Sequence, residues 1–131
     1  MRVTRLSTRV HQIAQRADDL DRAVTFYRDI LALPLIARFD PPGLAFFDLG
    51  GVRLLLERGA PGALIYLEVP DIAAAHRRLL DAGVRFVDEP HLIFRDEQGT
   101  FGDAGTEEWM TFLHDSEGNQ LALVERRAPA R

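Results

Sequence analysis

The chain has 131 residues, of which 47% are hydrophobic and 27% charged, a composition that suits one globular domain around one core and lies far from that of disordered chains. A formal net charge of −4 disfavours phosphate backbones and anionic lipid as partners, so neither a nucleic-acid nor a membrane role is expected. With no cysteine, disulfides, thiolate zinc sites and thiol nucleophiles are excluded.

No apolar run approaches the roughly 18 residues of a membrane span. Met1 to Arg9 carries basic residues with no apolar stretch behind them, so a cytoplasmic location is the default expectation. The run Val10 to Ala17 reads as a strand, and Asp18-Asp19 offers an N-cap carboxylate to a helix beginning at about Leu20. Leu20, Ala23, Val24, Tyr27, Ile30 and Leu31 recur at three- and four-residue spacing, an apolar stripe that leaves Asp21, Arg22, Arg28 and Asp29 to solvent. Pro34 stops the helix. Leu35 to Phe39, Leu44 to Leu49 and Val52 to Glu57 follow as strands, separated by the turn sequences Asp40-Pro41-Pro42-Gly43 and Gly50-Gly51.

The pattern then restarts. Leu64 to Val69 reads as a strand, Asp71 as a second N-cap, and Ile72 to Asp81 as a helix ended by Gly83. Val84 to Val87 is the next strand. Phe94 to Glu108, rich in Gly, Asp and Glu, is read as an inserted loop, either a lid over a pocket or a solvated excursion. Strands at Trp109 to His114 and Gln120 to Glu125 complete the second half. The halves match at a constant offset of 52 residues, from Asp19 to Asp71, Leu20 to Ile72 and Ala23 to Ala75, which indicates an internal duplication.

Two stretches carry a family resemblance. One runs from Gln12-Ile13-Ala14 through Asp19-Leu20-Asp21-Arg22-Ala23-Val24 to Phe26-Tyr27-Arg28 and Leu31-Ala32-Leu33; the other is Phe112-Leu113-His114-Asp115-Ser116-Glu117-Gly118-Asn119. With the doubled strand-helix-three-strand unit, they resemble the vicinal oxygen chelate superfamily, which includes glyoxalase I, methylmalonyl-CoA epimerase, the fosfomycin and bleomycin resistance proteins and the extradiol dioxygenases. The resemblance implies an α+β fold of two βαβββ modules, about 9–58 and 63–126, forming a cupped, incomplete mixed sheet barrel with helices outside. It also implies a small-molecule pocket in the cup and association into a homodimer. The family usually has glycine at the position of Ala32, so an altered or strained turn is expected there.

Carried over residue by residue, the four ligand positions of the metal-dependent members fall on Gln12, Leu55, Leu64 and Ala122. Three of these offer only hydrocarbon, and a single neutral amide does not replace the water shell of a divalent ion. No metal and no cofactor is therefore expected. Strand alternation places Gln12, Ala14 and Arg16 on one face, and likewise Arg53, Leu55 and Glu57, then Leu64, Tyr66 and Glu68, then Met110 and Phe112. The expected ligand-binding residues are Gln12, Arg53, Leu55, Glu57, Leu64, Tyr66, Met110, Phe112 and Ala122, an apolar and aromatic lining with a few polar contacts.

Among the four histidines, His91 is the catalytic candidate, because Pro90 fixes an extended entry and an imidazole titrates near neutral pH as a general acid or base requires. Glu107 and Glu108 could orient it, with Glu108 the weaker catalytic candidate, or could be solvated carboxylates. His11 falls out of phase with Gln12, His76 reads as part of a solvated helix face, and His114 as a local hydrogen-bonding residue. Trp109 reads as packing between sheet and helix. Arg77, Arg78 and Arg85 could attract a phosphate or coenzyme A tail, or form a solvated face. Ser7 and Ser116 are the only serines and neither lies in a nucleophile elbow; no phosphate loop or dinucleotide fingerprint occurs. Two functional readings follow: a metal-independent isomerase or lyase acting on a small carbonyl or acyl compound, or a non-catalytic protein that sequesters a ligand as bleomycin resistance members do.

Overall fold

The computed structural model describes residues 9–129, so the expectation resting on the first residues lies almost wholly outside the described part. The chain divides into two compact units, one ending at Ala63 and the other starting at Leu64.

The first unit holds strand β1 (Gln12–Arg16), helix α1 (Leu20–Thr25), a π-helical continuation (Phe26–Ile30), and strands β2 (Leu35–Phe39), β3 (Leu44–Leu49) and β4 (Val52–Glu57). Asp19 caps α1 by accepting the Arg22 N–H at 3.1 Å, as its acidic side chain requires. The sheet runs β1-β4-β3-β2, with β1 parallel to β4 and the other pairs antiparallel. Register puts Ile13 and Gln15 beside Leu54 and Leu56, which face Phe47 and Ala45 on β3. Apart from the half-buried Ile13, these residues, with Ala23, Val24 and Tyr27 of the helical segment, supply the core, and Tyr27 meets Phe47 with ring centroids 6.0 Å apart. Gln15 is buried but satisfied: its amide donates to the Ala63 carbonyl at 2.9 Å and accepts the Ala63 N–H at 2.6 Å. Ala32 adopts φ 59°, the left-handed turn in which the family pattern has glycine.

The second unit repeats the plan with β5 (Ile65–Glu68), α2 (Ile72–Asp81), β6 (Arg85–Phe86), β7 (His91–Asp96), β8 (Thr106–His114) and β9 (Gln120–Arg127). Asp71 caps α2 through the Ala74 N–H at 3.1 Å, the same bond that Asp19 makes in the first unit. Gly83, at φ 87°, ends the helix. The order is β5-β9-β8-β6, with β7 also on β8 and β5 parallel to β9, so both units are α+β and the second follows the strand order of the first with β7 added; neither sheet closes on itself. Ile65, Leu113, Leu121 and Leu123 form the buried face with Ile72 and Leu79 of α2.

The expected loop from Phe94 to Glu108 is mostly a hairpin. Its arms belong to β7 and β8, leaving 97–105 as the connection. That connection is organised by Asp96, whose buried carboxylate accepts the N–H groups of Thr100 at 2.7 Å and Phe101 at 2.8 Å. These bonds, with Phe101 first, hold the Asp96 carboxyl below the usual carboxylate range. Among the described residues, no helix is long and apolar enough to cross a membrane.

Candidate functional site

The expected site residues divide between the units. In the first, Gln12 pairs in register with Arg53, Ala14 with Leu55 and Arg16 with Glu57, so the face predicted from alternation is present in the sheet. Leu55 is buried and Glu57 half-buried. Gln12 is half-buried, and its Oε1 is buried with no hydrogen-bond partner among the described residues, leaving an acceptor for an incoming N–H or O–H. Arg53 is exposed; its guanidinium lies 5.4 Å from the Phe46 ring centre and 3.0 Å from His11 Nε2. Phe46 was missed in the sequence, although its register opposite Leu55 follows from the hairpin.

In the second unit, Tyr66 pairs with Ala122 and Glu68 with Val124, while Met110 and Phe112 lie opposite Val124 and Ala122. All therefore share the sheet face turned from α2. Glu125, of opposite parity on β9, accepts the N–H of Ile72 at the start of that helix at 2.9 Å. Tyr66, Glu68, Glu108, Met110, Val124 and Arg126 line a concavity of about 330 Å³ on this face. Tyr66 is 52% exposed and meets Phe112 edge to face at 6.2 Å, which stiffens an aromatic surface left open to a ligand. Leu64 precedes β5 and is exposed, whereas Ala122 is fully buried. Glu68 was placed on this face by the alternation of β5; Val124 and Arg126 were not singled out in the sequence, and extending the alternation to β9 would have found both.

The two catalytic candidates stand on the two strands of one hairpin. His91 begins strand β7, opposite Met110, with its side chain 49% exposed. Its Nδ1 lies 2.8 Å from the Glu89 carbonyl and 3.9 Å from an Asp88 carboxylate oxygen. Glu108 faces Phe94 across the hairpin and pairs with Arg126 at 3.6 Å. His91 Nδ1 thus has the Glu89 carbonyl at hydrogen-bond distance and, farther off, the carboxylate of Asp88. That residue also accepts the Phe112 N–H at 2.9 Å, tying the approach to β7 onto β8.

The remaining polar candidates have structural partners. Glu107 accepts the Trp109 indole N–H at 2.9 Å and is bonded by Arg95, and these donors, the indole first, lower its pKa. Trp109 is half-buried beneath the Arg127 guanidinium, 4.4 Å from the ring centre, so it belongs to a charged array and not to the apolar core. His76 likewise departs from the solvated reading: it is half-buried, with its ring 4.4 Å from that of Phe86. Among the described residues, no group of three or more His, Asp or Glu side chains could hold one metal ion.

A family model described as "Glyoxalase/Bleomycin resistance protein/Dioxygenase superfamily" matches residues 9–123. Among solved structures, a lactoylglutathione lyase from Agrobacterium tumefaciens is 22% identical, with a TM-score of 0.66 over 92% of this chain and 96% of that one. A superfamily member from Sphaerobacter thermophilus DSM 20745 is 24% identical, with a TM-score of 0.72 over 92% and 98%. TnmS3, an antibiotic binding protein from Streptomyces sp. CB03234, is 20% identical, with a TM-score of 0.73 over 94% and 99%. Among curated proteins, none matches. The family match over most of the chain, with the strand order common to its two units, shows that this chain belongs to the Glyoxalase/Bleomycin resistance protein/Dioxygenase superfamily.

Proposed function

We propose that this chain binds a small, largely apolar molecule without the help of a metal, and that it holds the molecule rather than transforming it. The observation that carries this reading is the makeup of the 330 Å³ concavity: Tyr66, Met110 and Val124 supply apolar surface, and Glu108 and Arg126 neutralise each other. Its polar groups, the Tyr66 hydroxyl and the carboxylates of Glu68 and Glu108, can orient a ligand by hydrogen bonds, and no serine, threonine, lysine or imidazole is among the lining residues. The ligand positions of metal-dependent relatives, Gln12, Leu55, Leu64 and Ala122, do not fit a divalent cation, since one amide cannot replace its water shell. The superfamily's antibiotic-binding member gives this reading a precedent in fold. A homodimer in the cytoplasm, with no nucleic-acid partner, completes it.

A second reading, an isomerase or lyase acting on a small carbonyl or acyl compound, is favoured by one observation. His91 stands in register with Met110 of the concavity and has a carboxylate, Asp88, within 3.9 Å of its Nδ1, as an acid–base imidazole would need. One experiment separates the two. Thermal stability is screened against metabolites and antibiotics, and each hit is tested for turnover and for affinity to Tyr66→Ala and Met110→Ala. Binding without turnover, weakened about tenfold or more by either change, supports sequestration. Turnover that His91→Ala abolishes establishes the enzyme instead. Affinity indifferent to both concavity variants removes this site from either account, and a stoichiometric transition metal in the purified protein overturns metal independence.

A further inference from the structure

The first unit carries a cluster that the ligand-binding reading does not use. Arg9, Val10, His11 and Gly51 line a cavity of about 290 Å³ where the entry to β1 passes the turn between β3 and β4. Beside it, Arg53 Nη2 lies 3.0 Å from His11 Nε2. A guanidinium can only donate, so Nε2 accepts and the ring proton of the neutral imidazole sits on Nδ1, for which no partner is found among the described residues. The Phe46 ring, 5.4 Å from the guanidinium carbon, supports the Arg53 head.

The nearest in-register carboxylate does not neutralise this head. Asp48 stands opposite Arg53 across the hairpin, but its Oδ1 accepts the Gly51 N–H at 2.9 Å, and no ion pair of Arg53 is found among the described residues. A guanidinium and an imidazole N–H thus stand together at this cavity, His11 in its lining and Arg53 beside it. On a chain whose net charge is −4, such a concentration of donors is a local departure from the average field.

We propose that this cavity is a binding site for a small oxyanion, a carboxylate or phosphate group, with Arg53, beside the cavity, as its principal ligand and His11 as a supporting donor. A planar guanidinium backed by a ring presents parallel N–H groups at the spacing of two oxygens on one carbon or phosphorus, which neither chloride nor a neutral ligand matches. The volume equals that of roughly ten waters, enough for such a group with part of its hydration shell. The site uses residues of the first unit alone and does not depend on the concavity of the second.

The test is an NMR titration of the full chain with inorganic phosphate and, separately, with acetate, each against chloride at matched ionic strength. Saturable shifts of the His11 and Gly51 resonances with one or both oxyanions are expected, with chloride at least about tenfold weaker and Arg53→Met weakening the response by a similar factor. The two arms show which oxyanion the site prefers. Non-saturating shifts equal to those of chloride overturn the proposal, as does saturable binding indifferent to Arg53→Met. Should that variant misfold, His11→Asn serves the same comparison. Ligand binding at Tyr66 is read from separate resonances, so failure here leaves the other reading standing.

Discussion

The buried hydroxyl of Thr111 donates to Asp88, lying 2.9 Å from both its carbonyl oxygen and its Oδ1. The same Oδ1 accepts the Phe112 N–H, so one side chain fastens the segment before β7 to the middle of β8. Thr111→Val keeps the shape and removes the donor. A loss of about 0.5–1.5 kcal/mol is expected in urea unfolding, the net value of an intramolecular hydrogen bond. Asp88→Ala should be the worse change, because it also strands the Phe112 N–H and removes the carboxylate beside His91; histidine NMR resonances should move in this variant and stay in Thr111→Val.

Stability should fall on acidification in a way that particular carboxylates account for. Arg127 and then the Ile72 N–H hold the Glu125 carboxyl below its ordinary value, as Trp109 and Arg95 do for Glu107. Groups with lowered folded pKa bind fewer protons folded than unfolded, so their stabilisation is full above the unfolded value of about 4.3 and is lost as pH falls through the folded one. Urea midpoints measured from about pH 6 to pH 3 should therefore drop most steeply below about pH 4.3. Glu125→Gln keeps an acceptor for Ile72 but no titration, and its curve should be shallower there; an unchanged slope would remove Glu125 from the account.

Asp96 gives a prediction that is local. Its carboxylate holds the Thr100 and Phe101 N–H groups, and its carbonyl accepts the Gly105 N–H at 2.7 Å. Replacing it by alanine should speed hydrogen exchange at Thr100 and Phe101 by about tenfold or more while leaving strand β9 protected, because loops open in units smaller than the whole domain. Uniformly faster exchange would mean instead that Asp96 supports the entire unit.

How much of this was legible depended on whether the signal was local. Helix α2, Ile72–Asp81, and strands β2, β3 and β4 stand where the sequence reading put them, because Asp71, Gly83 and the turn residues punctuate the chain through their own backbone preferences. The alternation that put Tyr66, Met110 and Phe112 on one face is equally local, and register upholds it. What escaped was set by cross-strand partners. Phe94 and Arg95 looked like loop residues until Glu108 and Glu107 stood opposite them. His91 and Glu108 looked like partners because both flank the same stretch, yet their bonds go to Glu89 and Arg126. Asp88 carried no signal in the sequence, and only the fold brings Thr111 to it.

Ala32 offers the sharpest test of a strain legible in the sequence. It is the one non-glycine residue among those described with a positive φ, 59°, at the end of the π-helical segment, where its Cβ crowds the following carbonyl. That conformation costs an L-residue about 1–2 kcal/mol, and glycine escapes the clash while giving back about 0.4–1 kcal/mol through the greater freedom of its unfolded chain. Ala32→Gly should consequently stabilise the protein by about 0.5–1 kcal/mol. Ala32→Val should destabilise it, since branching at Cβ worsens the same contact. Ala32 is exposed, so no core packing confuses the comparison. Chemical denaturation of the three proteins gives the answer: a glycine variant less stable than the parent would mean that the turn is relaxed in solution and that alanine there carries no strain.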